Sequence, residues 1–305
     1  MTRFPQALQR VLAPAAGVLV LAAMTTSGAQ AADCDRACLE SMITKYVDAM
    51  VAHDPSRLPV AADMRFTEDS QELRLGEGLW KTVTKKGDFR QDYIDLNQQI
   101  AASHVMLFEE NAQILYSVVL RVALQKTDQK GDLKITGIET LVDRITANSR
   151  FQPDSLEKPL VGMSEPVPAG QRMPRAEMIR IAMYYPEGLR IGSFVNARTP
   201  FSKEAYRVEN GTFIAGQGGP RQNAPAILTQ NIIRHPDVKP SVAAVDEEEG
   251  MVLLWMNFGD TNSYGPGNAL VTFEAFKVWG GEIHAVNAFF RILPKDTQRG
   301  WPSAE

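Results

Sequence analysis

The two halves of this chain carry the same local signals in the same order. Pro59 precedes Glu68 by nine residues, and Pro200 precedes Glu209 by nine. Each glutamate is followed by a turn-forming residue, Asp69 in one case and Asn210 in the other. Later, Glu110-Asn111 leading into residues 114–124 is echoed by Glu247-Glu248-Glu249-Gly250 leading into residues 251–258. Finally, Leu133-Lys134-Ile135-Thr136-Gly137-Ile138-Glu139 is echoed by Gly281-Glu282-Ile283-His284-Ala285-Val286-Asn287. An ordered series of matches of this kind implies two tandem copies of one supersecondary unit.

The content of that unit follows from periodicity. Leu39, Met42, Ile43, Tyr46, Val47 and Met50 recur at helical spacing, with Asp33 or Asp35 placed to cap the helix. His53-Asp54-Pro55 ends it, because proline disfavours helical geometry in the residue before it. The period then shortens. Residues 64–69 read as a strand running into a turn, with residues 72–75 returning and Gly76-Glu77-Gly78-Leu79-Trp80 as a tight connection. Strands are predicted at 103–108, 114–124 and 135–144. Residues 146–174 lose periodicity and hold five prolines, which marks a linker or an extended crossing segment. The pattern restarts with helices at 175–185 and 188–195 and a strand at 205–211. The expected division is therefore a first unit at 34–145, a Pro-rich linker at 146–174, a second unit at 175–295 and a C-terminal tail at 296–305. Each unit is α+β, with helices first and a strongly curved antiparallel sheet after them.

Ahead of the first unit, Arg3 and Arg10 precede a 13-residue apolar run, and a polar stretch then ends in Ala29-Gln30-Ala31. That order is charge, hydrophobic core and small-residue cleavage site, so residues 1–31 read as a cleavable signal peptide. The run is shorter than the about 20 residues a membrane span needs, and Pro14 interrupts it. The expected location is periplasmic or secreted, without stable membrane insertion. Without those two arginines the chain holds 30 basic against 36 acidic residues, a net charge near −6. That balance argues against nucleic acid as a partner, since phosphate binding needs a basic face. The two cysteines, Cys34 and Cys38, are read as one local disulfide. Helix geometry sets residues four apart too far from each other for such a bond, so the helix must begin after Cys34.

Several segments carry a family resemblance. They are Cys34-Asp35-Arg36-Ala37-Cys38-Leu39, His53-Asp54-Pro55-Ser56-Arg57-Leu58-Pro59, Arg65-Phe66-Thr67-Glu68, Leu75-Gly76-Glu77-Gly78-Leu79-Trp80, Arg207-Val208-Glu209-Asn210-Gly211 and Val245-Asp246-Glu247-Glu248-Glu249-Gly250. Together they resemble an exported bacterial and fungal group with two NTF2-like (SnoaL-like) units. The resemblance implies two tandem NTF2-like cone folds, helices packed on a curved sheet, each able to hold an apolar pocket.

The chain lacks a Gly-x-Gly-x-x-Gly turn, a phosphate loop, a Gly-x-Ser-x-Gly elbow and a His-Glu-x-x-His helix. Its four histidines and two cysteines show no metal-ligand spacing, so neither cofactor nor metal is expected. Chemistry in such a pocket depends on a few inward polar side chains. Alternation puts Phe66 and Glu68 on one strand face and Arg65 and Thr67 on the other. Glu68, and Glu209 at the matching position, are either pocket acids or bases or strand-end hydrogen-bond acceptors. Arg65 and Arg207 are either anion-steadying groups or surface ion pairs. His53 is either a proton-transfer group or a helix-end contact. Phe66 and Trp80 would line a ligand pocket or anchor the core. Asn257, in an otherwise apolar strand, lines a cavity or joins a buried network.

The leading expectation is a cofactor-independent enzyme of lyase, dehydratase or isomerase type acting on a small, mostly apolar or aromatic molecule. A non-catalytic binding protein is the second. The third is an interaction module with filled pockets that forms a homo-oligomer. The discriminating feature is whether Glu68 or Glu209 faces an open pocket.

Overall fold

A computed structural model describes residues 34–127, 130–153, 156, 160–216 and 224–301; the expected signal peptide lies outside the described residues. The first half runs α1 (Arg36–Val51), β1 (Val60–Glu68), β2 (Gln71–Leu73), β3 (Lys85–Asp95), β4 (Ile100–Glu109), β5 (Ala112–Thr127) and β6 (Lys130–Ile145). The second runs α2 (Arg175–Ala182), α3 (Tyr184–Ile191), β7 (Phe201–Glu209), β8 (Thr212–Gly216), β9 (Lys239–Asp246), β10 (Met251–Asn257), β11 (Asn268–Trp279) and β12 (Glu282–Pro294). Helix α1 begins after Cys34, capped by the Asp35 carboxylate, which accepts from the Cys38 amide. Cys34 and Cys38 form a disulfide across that first turn.

Among the described residues the strands form two six-stranded sheets, ordered β2-β1-β6-β5-β4-β3 and β8-β7-β12-β11-β10-β9. The chain is therefore mostly β with a little helix, and the same arrangement occurs twice. The sheets are mixed, which corrects the antiparallel expectation: β1 runs parallel to β6, and β7 parallel to β12. A parallel neighbour needs a long crossover, which β2 to β5 supply in one half and β8 to β11 in the other. The irregularities repeat as well. Register shifts fall between Val60 and Arg65 and at the matching place in β12–β7, and again at Arg121/Val122 and Lys277/Val278.

This register corrects one of the sequence matches. Glu110-Asn111 joins β4 to β5, whereas residues 247–250 join β9 to β10, the counterpart of the β3–β4 connection. The slip arises because β3 is not predicted. Its first residues are Lys85, Lys86, Gly87 and Asp88, and its buried Phe89, Gln91 and Tyr93 alternate only afterwards.

Packing gives four layers. Leu39, Ile43, Tyr46 and Met50 of α1 cover one face of the first sheet, and Met178, Tyr185 and Leu189 of α2 and α3 cover one face of the second. The other faces pack against each other through Phe89, Tyr93, Leu253, Phe273 and Phe289. Residues 146–174 are not a free tether: Leu156, Leu160 and Met163 join this central core, and the buried Lys277 ammonium donates to the Glu165 carbonyl at 2.5 Å. The C-terminal segment is anchored too. Arg299 pairs with the buried Glu139 at 2.9 Å, and the Trp301 ring lies against Gly137 between Arg65 and Arg121.

The two halves exchange contacts reciprocally. Asp95, at the end of β3, accepts from Arg175 at the start of α2 and from the Val245 amide. Asp246, at the matching end of β9, accepts from Arg36 at the start of α1 and from the Ile94 amide. Both carboxylates are fully buried. A second exchange joins Asp69 to Arg291 and Asn210 to Asp143.

Candidate functional site

Register places Glu68 and Glu209 at equivalent strand ends: Glu68 pairs with Thr140 of β6, and Glu209 with Ala288 of β12. Their surroundings differ. In the first half the interior under α1 is filled. Tyr46 and Tyr116 share a hydrogen bond of 2.7 Å, the Trp80 indole donates to Tyr46 at 3.2 Å, and Phe66 is buried beside them. Glu68 accepts from the Leu79 amide at 2.9 Å, at the start of the short 3-10 turn Gly78–Lys81. Burial raises its pKa, and that hydrogen bond opposes the rise. Glu68 is thus a buried strand-end acceptor. Phe66 and Trp80 are core residues.

The other first-half candidates lie elsewhere. Arg65 is exposed, pairs with Glu72 at 2.8 Å and donates to the Gly300 carbonyl at 2.6 Å. His53, beyond the end of α1 with φ of 53°, hydrogen-bonds the Trp80 carbonyl. In the second half, Asn257 holds the C-terminal segment: its amide donates to the Lys295 and Thr297 carbonyls at 3.1 and 2.8 Å, and its oxygen accepts from the Gly259 amide.

Arg207 and Glu209 do come together in a cavity. Both project from β7 into a pocket of about 640 Å³, whose apolar walls include Leu189, Ile214, Phe258, Leu270 and Phe290. The Arg207 Nε lies 3.1 Å from a Glu209 carboxylate oxygen without hydrogen-bond alignment, so the two interact as a through-space ion pair. The Arg207 side chain is 9% exposed and that of Glu209 is 23%, which makes Glu209 the member a ligand can reach. Arg207 is fixed from behind, donating to the Tyr185 hydroxyl at 3.0 Å and to the Gln230 carbonyl oxygen at 3.1 Å.

Behind this pair stands Glu274 on β11, separated from Glu209 by the small side chain of Ala288 on the intervening strand. Burial pushes its pKa up to about 8, Arg207 opposes the rise, and Glu209 adds to it. Tyr185 hydrogen-bonds Glu274, and burial raises the phenol's pKa. Burial opposes ionisation of Arg207, but Tyr185, Glu209 and Glu274 hold it firmly protonated. Also on the lining, His235 stacks on Tyr264, and burial lowers the imidazole pKa to about 4. Arg150 and Phe151, from the segment between the halves, complete the lining.

Tracing the ladders across the halves shows what has diverged. Arg207 corresponds to Phe66, Glu274 to Val118 and Ala288 to Thr140. Among the described residues, the buried Arg–Glu pair at these positions occurs in the second half and not in the first. A second hollow, of about 620 Å³, is lined by Thr82, Glu109, Arg144 and neighbours and lies outside the first-half core. Among the described residues no group of three or more His, Cys, Asp or Glu side chains is arranged to hold a metal ion.

A family model described as a domain of unknown function (DUF8021) matches residues 171–290, the stretch that holds β7, β11 and most of the pocket lining. No curated protein matches the chain.

Proposed function

We propose that the chain is an exported tandem NTF2-like (SnoaL-like) protein, and that its second half is a cofactor-independent enzyme of lyase, dehydratase or isomerase type. The fold part of this reading draws support from the repeated strand order, with the first strand of each half parallel to the last. Helices on one sheet face leave room for a pocket there, and the first half supplies a filled structural twin. Export rests on the N-terminal sequence alone.

The observation that carries the enzyme reading is the convergence of Glu209 and Arg207 at one end of a largely apolar cavity. Glu209 takes a proton from the bound molecule as general base. Arg207, held by Tyr185 and Gln230, steadies the negative charge that develops on a substrate oxygen. The proton then returns to a different atom in an isomerisation, or leaves with a departing hydroxyl as water in a dehydration. The substrate body is a small apolar or aromatic molecule, matched to the walls.

The test is a screen of small aromatic and terpenoid-like compounds for turnover by the wild type and Glu209→Gln. Loss of about 10²- to 10⁴-fold in kcat with binding retained is the expected result. Equal turnover by the two proteins would remove Glu209 from the mechanism. Tight binding with no turnover by either would reassign the pocket to carriage.

A further inference from the structure

Resting on that pocket reading, we propose that the site selects an uncharged, hydroxyl-bearing ligand with an apolar body, and rejects carboxylates of the same shape. The argument is one of charge and donor count. Among the described residues, the lining holds one buried cation, Arg207, whose charge is already matched by the Glu209 carboxylate, while Glu274 stands behind them outside the lining. A ligand carboxylate placed there would meet Glu209 directly, in surroundings where water screens little.

Arg207 is also poorly disposed to receive an anion. Recognition of a carboxylate by arginine uses two parallel N–H groups aimed outward. Here Nη1 is directed to Tyr185, Nη2 to Gln230, and Nε faces Glu209. Glu209 itself has capacity left. Apart from the contact with Arg207, no side chain among the described residues donates to its carboxylate, so it can accept a hydrogen bond from a hydroxyl. Ser263 and Tyr264 line the same cavity and can complete the contacts of a neutral oxygen. Burial favours the neutral forms of His235 and Tyr264, so neither adds charge near neutral pH. Among the described residues Arg150 is the one further cation on the lining, and it is exposed, resting over the Phe151 ring.

The test is isothermal titration calorimetry of the purified protein at pH 7 with three probes sharing one ring system: 2-naphthol, 2-naphthoate and 2-naphthylmethylammonium. The naphthol is expected to bind at least about tenfold more tightly than the naphthoate. Glu209→Gln, which deletes the accessible negative charge, is expected to narrow that gap to about threefold or less. Equal affinity of naphthoate and naphthol for the wild type overturns the proposal, and so does failure of all three to bind. Naphthoate affinity that matches the naphthol and vanishes in Arg150→Ala overturns it as well, by placing an anion at Arg150. None of these outcomes reads turnover. A preference for the naphthol without Glu209-dependent catalysis would therefore sink the enzyme reading and leave the selectivity standing.

Discussion

Arg207 is a buried cation whose neighbours were placed for it, and removing it alone should be expensive. Arg207→Ala leaves Glu209 without its ion-pair partner and the Tyr185 hydroxyl and Gln230 side-chain oxygen without a donor. The expected loss is about 3–5 kcal/mol, read by urea unfolding. The first half shows that the same positions tolerate Phe66 and Val118. A triple variant, Arg207→Phe, Glu274→Val and Tyr185→Phe, is therefore expected to recover most of that stability while losing the polar end of the pocket. Glu274 also makes a pH prediction. Its folded pKa is raised, so between the ordinary carboxylate range and about 8 the folded state holds the extra proton. Its contribution to stability is then fully present below the unfolded pKa and declines as pH rises through about 8. Glu274→Gln should flatten the wild-type decline over that interval, and an unchanged slope would exclude a proton on Glu274. Of this cluster, Arg207 and Glu209 were legible because they sit in a repeated strand-to-turn signal. Glu274 carries no such signal, because it lies inside an apolar run. The available signal was a lone acid between Phe273 and Ala275 in a strand apolar on both faces.

At the scale of single elements, the short 3-10 turn Gly78–Lys81 depends on one glycine. Gly78 has φ of +64°, and a Cβ there would lie about 2.5 Å from the Glu68 carboxylate. Gly78→Ala therefore strains the backbone and displaces the acceptor of the Leu79 amide. The expected cost is about 1–3 kcal/mol, measured as a lower urea midpoint with an unchanged slope. The elements best read from sequence were those with one dominant period. The helical spacing of Leu39 to Met50 marks α1, and the paired segments 133–139 and 281–287 fall at equivalent places in β6 and β12. Strand β3 was missed because charged residues open it, although its later side chains are buried against the other half. Their apolar alternation has a physical cause that lies more than a hundred residues away in β9 and β10. Single-strand period cannot display a partner of that kind.

At the scale of the molecule, the halves share one core and trade buried ion pairs, so they should unfold as one. Calorimetry is expected to show a single transition with matching calorimetric and van't Hoff enthalpies. Asp95→Ala takes the buried carboxylate from Arg175 and leaves the Val245 amide without its acceptor, and Asp246→Ala does the same to the Ile94 amide while Arg36 keeps Glu248. Each is expected to cost about 1–3 kcal/mol without splitting the transition. Two resolved transitions in either variant would mean that the central core does not couple the halves. Each of these exchanges pairs one end of a helix with an acid in the opposite repeat, which the tandem pattern implies only once the sheets are known to stack. The strand order has a consequence for synthesis. Because β1 lies between β2 and β6, the first sheet stays open, with β1 unpaired along one edge, until residues 130–145 have been made. The second sheet waits likewise for Glu282–Pro294. A growing chain therefore carries an exposed strand edge for most of each repeat, so its slow step is long-range parallel closure rather than formation of any hairpin.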